Sequence, residues 1–137
     1  MAQIIEDFIE ACIVGPRPRP VLMAVRYDPG DPFALSLGFG ANASAEPEGS
    51  LSWTAARELF GTGLRAPAGL GDLRVGPWSP DLVGVEFHGD EGCAVVVLPA
   101  RDLADFLART YDEVAPGAEH RLVRWPDTVA ELVGESG

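Results

Sequence analysis

A chain of 137 residues with 47% apolar side chains can bury the core of one globular domain, which excludes a disordered acidic segment. Its 21 acidic residues face 10 arginines and no lysine, a formal charge of −11. That balance excludes the clustered cationic surface that nucleic-acid phosphates or an anionic membrane require.

The chain opens on residues 3–14, an Ile- and Phe-rich stretch that reads as a strand. Glu6, Asp7 and Glu10 interrupt it and no basic residue precedes it, so it does not have the pattern of a signal peptide. No run of eighteen apolar residues follows anywhere, so no spanning helix is expected and the protein is expected in the cytoplasm. Pro16-Arg17-Pro18-Arg19-Pro20 reads as a stiff connector, with a small docking motif as the other reading. Residues 20–27 and 33–39 are the next strands, and Phe33, Leu35, Leu37 and Phe39 alternate as half-buried strand residues do. Asp28-Pro29-Gly30-Asp31-Pro32 between them is a turn, residues 40–49 read as a hairpin loop, and residues 50–53 form a short fourth strand.

Thr54 is the expected N-cap of a short helix. Ala56, Leu59 and Phe60 lie on one face of it, and Gly61 and Gly63 are expected to end it in the left-handed conformation. The second half repeats this scheme. Residues 71–76, 82–88 and 93–98 read as strands, with a turn at His88-Gly89-Asp90-Glu91-Gly92. Pro99 precedes a helix with Leu103, Phe106, Leu107, Tyr111 and Val114 on one face, stopped by Pro116-Gly117. A last helix is expected at about 125–134, with Pro126 in its first turn and Val129, Leu132 and Val133 facing inward.

The halves superimpose in sequence. An offset of 48 residues pairs Arg26 with Arg74, Leu35 with Val83, Leu37 with Val85 and Phe39 with Phe87. An offset of 44 pairs Ala56-Arg57-Glu58-Leu59 with Ala100-Arg101-Asp102-Leu103. Both alignments span a strand-to-helix transition in the same order, which indicates an internal duplication. The expectation is a single α+β domain over 1–137, with half-repeats at about 1–62 and 63–115.

Few constellations carry chemistry. His88, Asp90, Glu91 and Cys93 offer mixed metal ligands, but Asp90, Glu91 and Gly92 also supply what a tight turn needs, so no metal and no cofactor are expected. The glycine pairs around Phe39, Thr62 and Leu70 read as turn residues: without lysine no phosphate-binding GxxxxGK[ST] loop exists. No GxSxG elbow is present, Asp102 and Asp105 read as solvated helix charges, and no catalytic residue is assigned. Cys12 and Cys93 are expected to be reduced and buried, although a disulfide stays open in principle. Trp53 reads as core. Trp78 and Trp125 sit in turn-like segments and are candidate interface anchors, with caps on the core as the alternative. Gly117 joins them as a candidate interaction residue.

Taken in order, several blocks resemble a known family. The first is Arg26-Tyr27-Asp28, Asp31-Pro32-Phe33, Trp53, Ala56-Arg57-Glu58-Leu59, Gly63-Leu64 and Gly71-Asp72-Leu73-Arg74-Val75. The second is Pro99-Ala100-Arg101-Asp102-Leu103, Phe106-Leu107-Ala108-Arg109-Thr110 and Pro116-Gly117-Ala118-Glu119-His120. Together, over about residues 20–135, they are similar to the SsgA-like (SsgA/SsgB) sporulation and cell-division proteins of filamentous actinobacteria. The chain departs from that pattern in its acidic first strand, in the Pro16–Pro20 segment and in the place of Trp78 after Pro77.

The resemblance implies a whirly-like fold: two antiparallel four-stranded sheets, each followed by a helix, related by a pseudo-twofold. It also implies a non-enzymatic cytoplasmic adaptor at the division septum. The expected partners are the tubulin-like ring protein FtsZ, SsgA-like proteins and further copies of the chain in a homo-oligomer, a trimer. The alternative is a single-stranded nucleic-acid binding module of the same fold. Charge opposes it: residues 1–68 carry five arginines against eight acids, and residues 69–137 five against thirteen.

Overall fold

The structure is a computed structural model and describes residues 3–39, 51–89 and 92–119, without the side chains of Leu51 and Leu70. The expected helix at 125–134, with Trp125, lies outside these residues, as do His120, Asp90 and Glu91.

Four strands and a helix come first: β1 (Ile5–Ile13), β2 (Arg19–Tyr27), β3 (Ala34–Phe39), β4 (Leu51–Ala56) and α1 (Arg57–Gly63). The same series follows as β5 (Ala68–Leu70), β6 (Leu73–Ser79), β7 (Leu82–Gly89), β8 (Gly92–Pro99) and α2 (Ala100–Glu113). The Pro16–Pro20 segment links β1 to β2, and β2 already includes Arg19 and Pro20.

The expectation of two separate four-stranded sheets is corrected. All the described strands join one antiparallel sheet in the order β4-β3-β2-β1-β8-β7-β6-β5. The join is short: Cys12 pairs with Val97, Ile13 pairs with Val96, and the Val14 amide donates to the Val95 carbonyl at 2.9 Å. Each half still reads fourth strand to first strand across the sheet, as a duplication requires.

Alternation decides the two faces. Ile5, Ile9, Met23, Val25, Tyr27, Leu35, Leu37, Val75, Val83, Val85, Phe87, Val96 and Leu98 point inward and are buried with Leu59, Phe60, Leu103, Phe106 and Leu107 of the helices. The sheet curls on itself. Phe39 of β3 and Trp53 of β4 meet Phe87 of β7, with centroids 5.5 Å and 5.0 Å apart, although three strands separate β3 from β7 in the sheet order. Each large apolar side chain so enclosed is worth about 1.5–3 kcal/mol.

The helices fill the concave side and tie the halves together. From the first half, α1 lies on β5 and β6; from the second half, α2 reaches β1, where Arg109 meets Asp7 at 3.0 Å. Gly63, the last residue of α1, abuts Val75: a Cβ there would collide with the Val75 side chain and fall 2.9 Å from its carbonyl oxygen. The glycine therefore serves close approach, while the helix ends on Leu64 in the right-handed region. That corrects the expected left-handed stop. Left-handed glycines occur at Gly71, Gly92 and Gly117 among the described residues.

The helix start is also corrected. Thr54 belongs to β4, opposite Ser36 with their hydroxyls 3.3 Å apart, and Ala56 is the N-cap without a side-chain cap bond. The β3 ladder carries β4 three residues further than local capping chemistry indicates, and the Arg57 amide then donates to the Phe33 carbonyl at 2.6 Å. Strand β5, at the glycines that read as turn residues, is a further correction: three residues show no periodicity, and only the ladder with β6 defines it.

Candidate functional site

Arg57 begins α1 and is 1% exposed. Its guanidinium lies between the rings of Tyr27 and Tyr111, 4.8 and 4.5 Å from their centroids, within cation–π range. Nη1 donates to the carbonyls of Thr110 at 3.1 Å and Val114 at 2.8 Å. Nη2 meets Glu119 Oε2 at 2.8 Å. The last turn of α2 has no basic residue of its own, so an arginine from the other helix caps its carbonyl end. Nε has no acceptor among the described residues.

The surroundings shift the two tyrosines and the carboxylate of this cluster. Burial pushes the Tyr27 and Tyr111 hydroxyls above their ordinary range, against the pull of Arg57. For Glu119, burial alone raises the carboxyl, but hydrogen bonds from Arg57 and from the amides of Glu119 and Gly117 hold it below the usual carboxylate value. Gly117 has φ of 88°, and its amide donates to Glu119 Oε1 at 2.7 Å. This predicted interaction residue thus shapes the turn that aims Glu119 at Arg57. A groove of about 860 Å³ opens beside the cluster between α1 and α2, lined by Phe33, Leu64, Arg65, Ala104, Tyr111 and Pro116 among others.

The convex face carries the second candidate. The sequence places Trp78 in a turn; the structure corrects this to a strand position at a register shift of β6 between Pro77 and Ser79. The side chain is 53% exposed, and its ring covers Gly84, where a Cβ would come within 3.1 Å of the ring atom Cε3. Because Gly76 and Gly84 face each other without side chains, a trough of about 580 Å³ runs from Trp78 to Arg74 and Glu86. The large apolar side chains of Phe8 on β1 and Leu22 on β2 are also exposed. Of the three predicted interaction residues, Trp78 and Gly117 lie at separate features, and Trp125 is outside the described residues.

Cys12 and Cys93 are both free, but neither is buried: Cys12 is half-buried and Cys93 is exposed. Both fall on the outward-pointing register of their strands, which corrects the expectation of buried thiols. His88 and Cys93 form a cross-strand pair of the β7–β8 hairpin, and Glu86, absent from the sequence-based set, joins them. Arg57 itself was missed. Nothing local separates it from Arg101, its counterpart in the repeat, which is exposed; its place three residues before Phe60 on an apolar face is the one available signal.

One curled, mostly antiparallel sheet carrying two helices, with Trp78 exposed on a groove of its convex face, defines a small α+β protein with surface grooves. Residues 21–119 match the family model described as "Streptomyces sporulation and cell division protein, SsgA". The chain belongs to the SsgA family. It is 43% identical over 103 residues to the sporulation-specific cell division protein SsgB of Salinispora tropica, covering 73% of this chain and 71% of that one. The SsgB of Streptomyces coelicolor is 37% identical over 120 residues, 85% of each chain. A solved structure from work linking mutations in SsgB to longitudinal cell division during sporulation of Streptomyces coelicolor is similar at a TM-score of 0.79, with 34% identity over 89% of this chain and 97% of that one. The SsgA-like sporulation-specific cell division protein of Thermobifida fusca gives 0.80 with 26% identity over 98% and 96% of the two chains. The chain thus has a role in sporulation-linked cell division. Among the described residues no helix is long and apolar enough to cross a membrane.

Proposed function

We propose that this protein is a non-enzymatic adaptor that helps place the division septum, by recruiting FtsZ or a partner of its own family. Family membership carries the reading. The 53% exposed Trp78 beside its glycine-floored trough supports it, because tryptophan is enriched among the residues that anchor protein interfaces. On this reading the protein works in the cytoplasm at the septum, as a homo-oligomer of three copies. The repeated strand order and the helices shared between the halves favour the pseudo-twofold, whirly-like relation between them.

The test is co-sedimentation of the purified protein with polymerised FtsZ, together with co-precipitation with SsgA-like proteins. Binding that weakens with salt is expected, since residues 69–137 hold thirteen of the 21 acids. No binding to either partner at low salt and high concentration overturns the adaptor reading. A monomeric mass by light scattering overturns the trimer. The competing nucleic-acid reading predicts salt-dependent micromolar gel shifts, which the acid excess in both halves opposes.

A further inference from the structure

We infer that Glu86, His88 and Cys93 on the convex face of the β7–β8 hairpin form a binding site for a zinc-class divalent cation. Glu86 and His88 are two residues apart on β7 and so share a face, and Cys93 stands directly opposite His88 on β8. One ligand atom from each residue lies within 4.8 Å of the other two. His88 Nε2 is 3.3 Å from Glu86 Oε1 and 3.9 Å from Cys93 Sγ.

These separations are close to those of a coordinated set. With Zn–N and Zn–O near 2.0–2.1 Å and Zn–S near 2.3 Å, a tetrahedral ion puts its N and O ligands about 3.4 Å apart and its N and S ligands about 3.6 Å apart. The first edge is already met, the second needs a shift of a few tenths of an ångström, and the third, from Glu86 to Cys93, lies within 4.8 Å and closes by up to about 1.2 Å through side-chain rotation. Nitrogen, carboxylate and thiol donors together suit a borderline-soft ion better than magnesium or calcium, which take oxygen alone.

The scaffold is two paired strands rather than a loop, so the three Cβ positions are set before any metal arrives. Arg74 stands opposite Glu86 on β6, and the ion pair that Glu86 makes is with His88. The fourth coordination position is left to water or to a group from a bound partner. Binding replaces the Cys93 thiol proton with the metal and releases that proton. The site adjoins the Trp78 trough through Glu86, so a metal there would stiffen the same face.

Cobalt(II) is the probe, added to the full-length reduced protein. One equivalent is expected to bind at micromolar concentration, with a thiolate-to-cobalt charge-transfer band and the intense visible bands of tetrahedral cobalt, both abolished by stoichiometric zinc. Cys93→Ser removes the charge-transfer band, Cys12→Ser keeps it, and Glu86→Gln and His88→Ala each weaken binding at least tenfold. All four positions are on the surface or partly exposed, and circular dichroism checks that each variant is folded. Absence of the charge-transfer band, or its survival in Cys93→Ser, overturns the proposal.

Discussion

Arg57→Met removes the guanidinium from between Tyr27 and Tyr111 while keeping much of the apolar volume. The carbonyls of Thr110 and Val114 then lose their donor at 3.1 and 2.8 Å, and Glu119 loses its partner at 2.8 Å. Deleting one member of a buried ion pair costs about 3–5 kcal/mol. Glu119 is 13% exposed and regains some water, which pulls the value toward the lower end. The orphaned carbonyls, at about 1–3 kcal/mol each, push it back. The expected loss is therefore about 3–5 kcal/mol against a total of about 5–15 kcal/mol for a domain. With a slope of about 2 kcal/mol per molar urea, the unfolding midpoint drops by about 2 M. Urea titrations followed by far-ultraviolet circular dichroism measure it. Glu119→Gln retains an acceptor for Nη2, so its loss is about 1–2 kcal/mol, and the double variant shows a coupling of about 1–3 kcal/mol. A midpoint for Arg57→Met within 0.5 M of the parent (about 1 kcal/mol on that slope), or strictly additive losses in the double variant, would refute the cluster as the joint between α1 and α2.

Glu119 titrates below its ordinary value in the folded protein, so its contribution is complete above that ordinary value and disappears as pH falls through the folded-state value. Urea midpoints across the acid range should fall less steeply for Glu119→Gln than for the parent; equal slopes contradict the assignment. Gly63→Ala gains about 1 kcal/mol in helix propensity, yet should destabilise by about 1–3 kcal/mol net, because its methyl meets Val75; a raised melting temperature would show that β6 yields there. Trp78→Ala should change stability by no more than about 1 kcal/mol, given its exposure, while lowering retention on FtsZ polymers or family partners; unchanged binding removes Trp78 as the anchor.

Much of the architecture is local and therefore legible along the chain. Leu35 and Leu37 against Val83 and Val85 show the period of two that makes β3 and β7, and the apolar face of α2 follows from Leu103, Phe106 and Leu107. Errors arose where partners far along the chain decide. Thr54 carries good capping chemistry, but pairing with Ser36 holds it in β4. Gly63 sits where a helix stop is expected, but Val75, twelve residues on, is what requires it. Trp78 follows a proline and reads as a turn, but β7 accepts the irregular register and keeps it in a strand.

The candidate clusters were less legible still. Arg57 and Arg101 occupy matching sites in the repeat, and only tertiary packing makes one a buried hub and leaves the other in water. Glu86, His88 and Cys93 converge because register sets His88 against Cys93, and a slip of one residue would send their side chains to opposite faces.

Composition, periodicity and ordered motifs by themselves pointed to an acidic α+β fold, to a series of strands and helix that occurs twice, and to membership of a cell-division family. Each depends on residue identity within short windows, where side-chain period and turn chemistry act. Tertiary structure alone decided that the two halves share one curled sheet through β1 and β8, that α1 and α2 are locked by an arginine between two tyrosines, and which side chains meet on the convex face. The shared sheet and the arginine lock depend on contacts between residues 30 to 85 positions apart, for which a local pattern carries no physical signal.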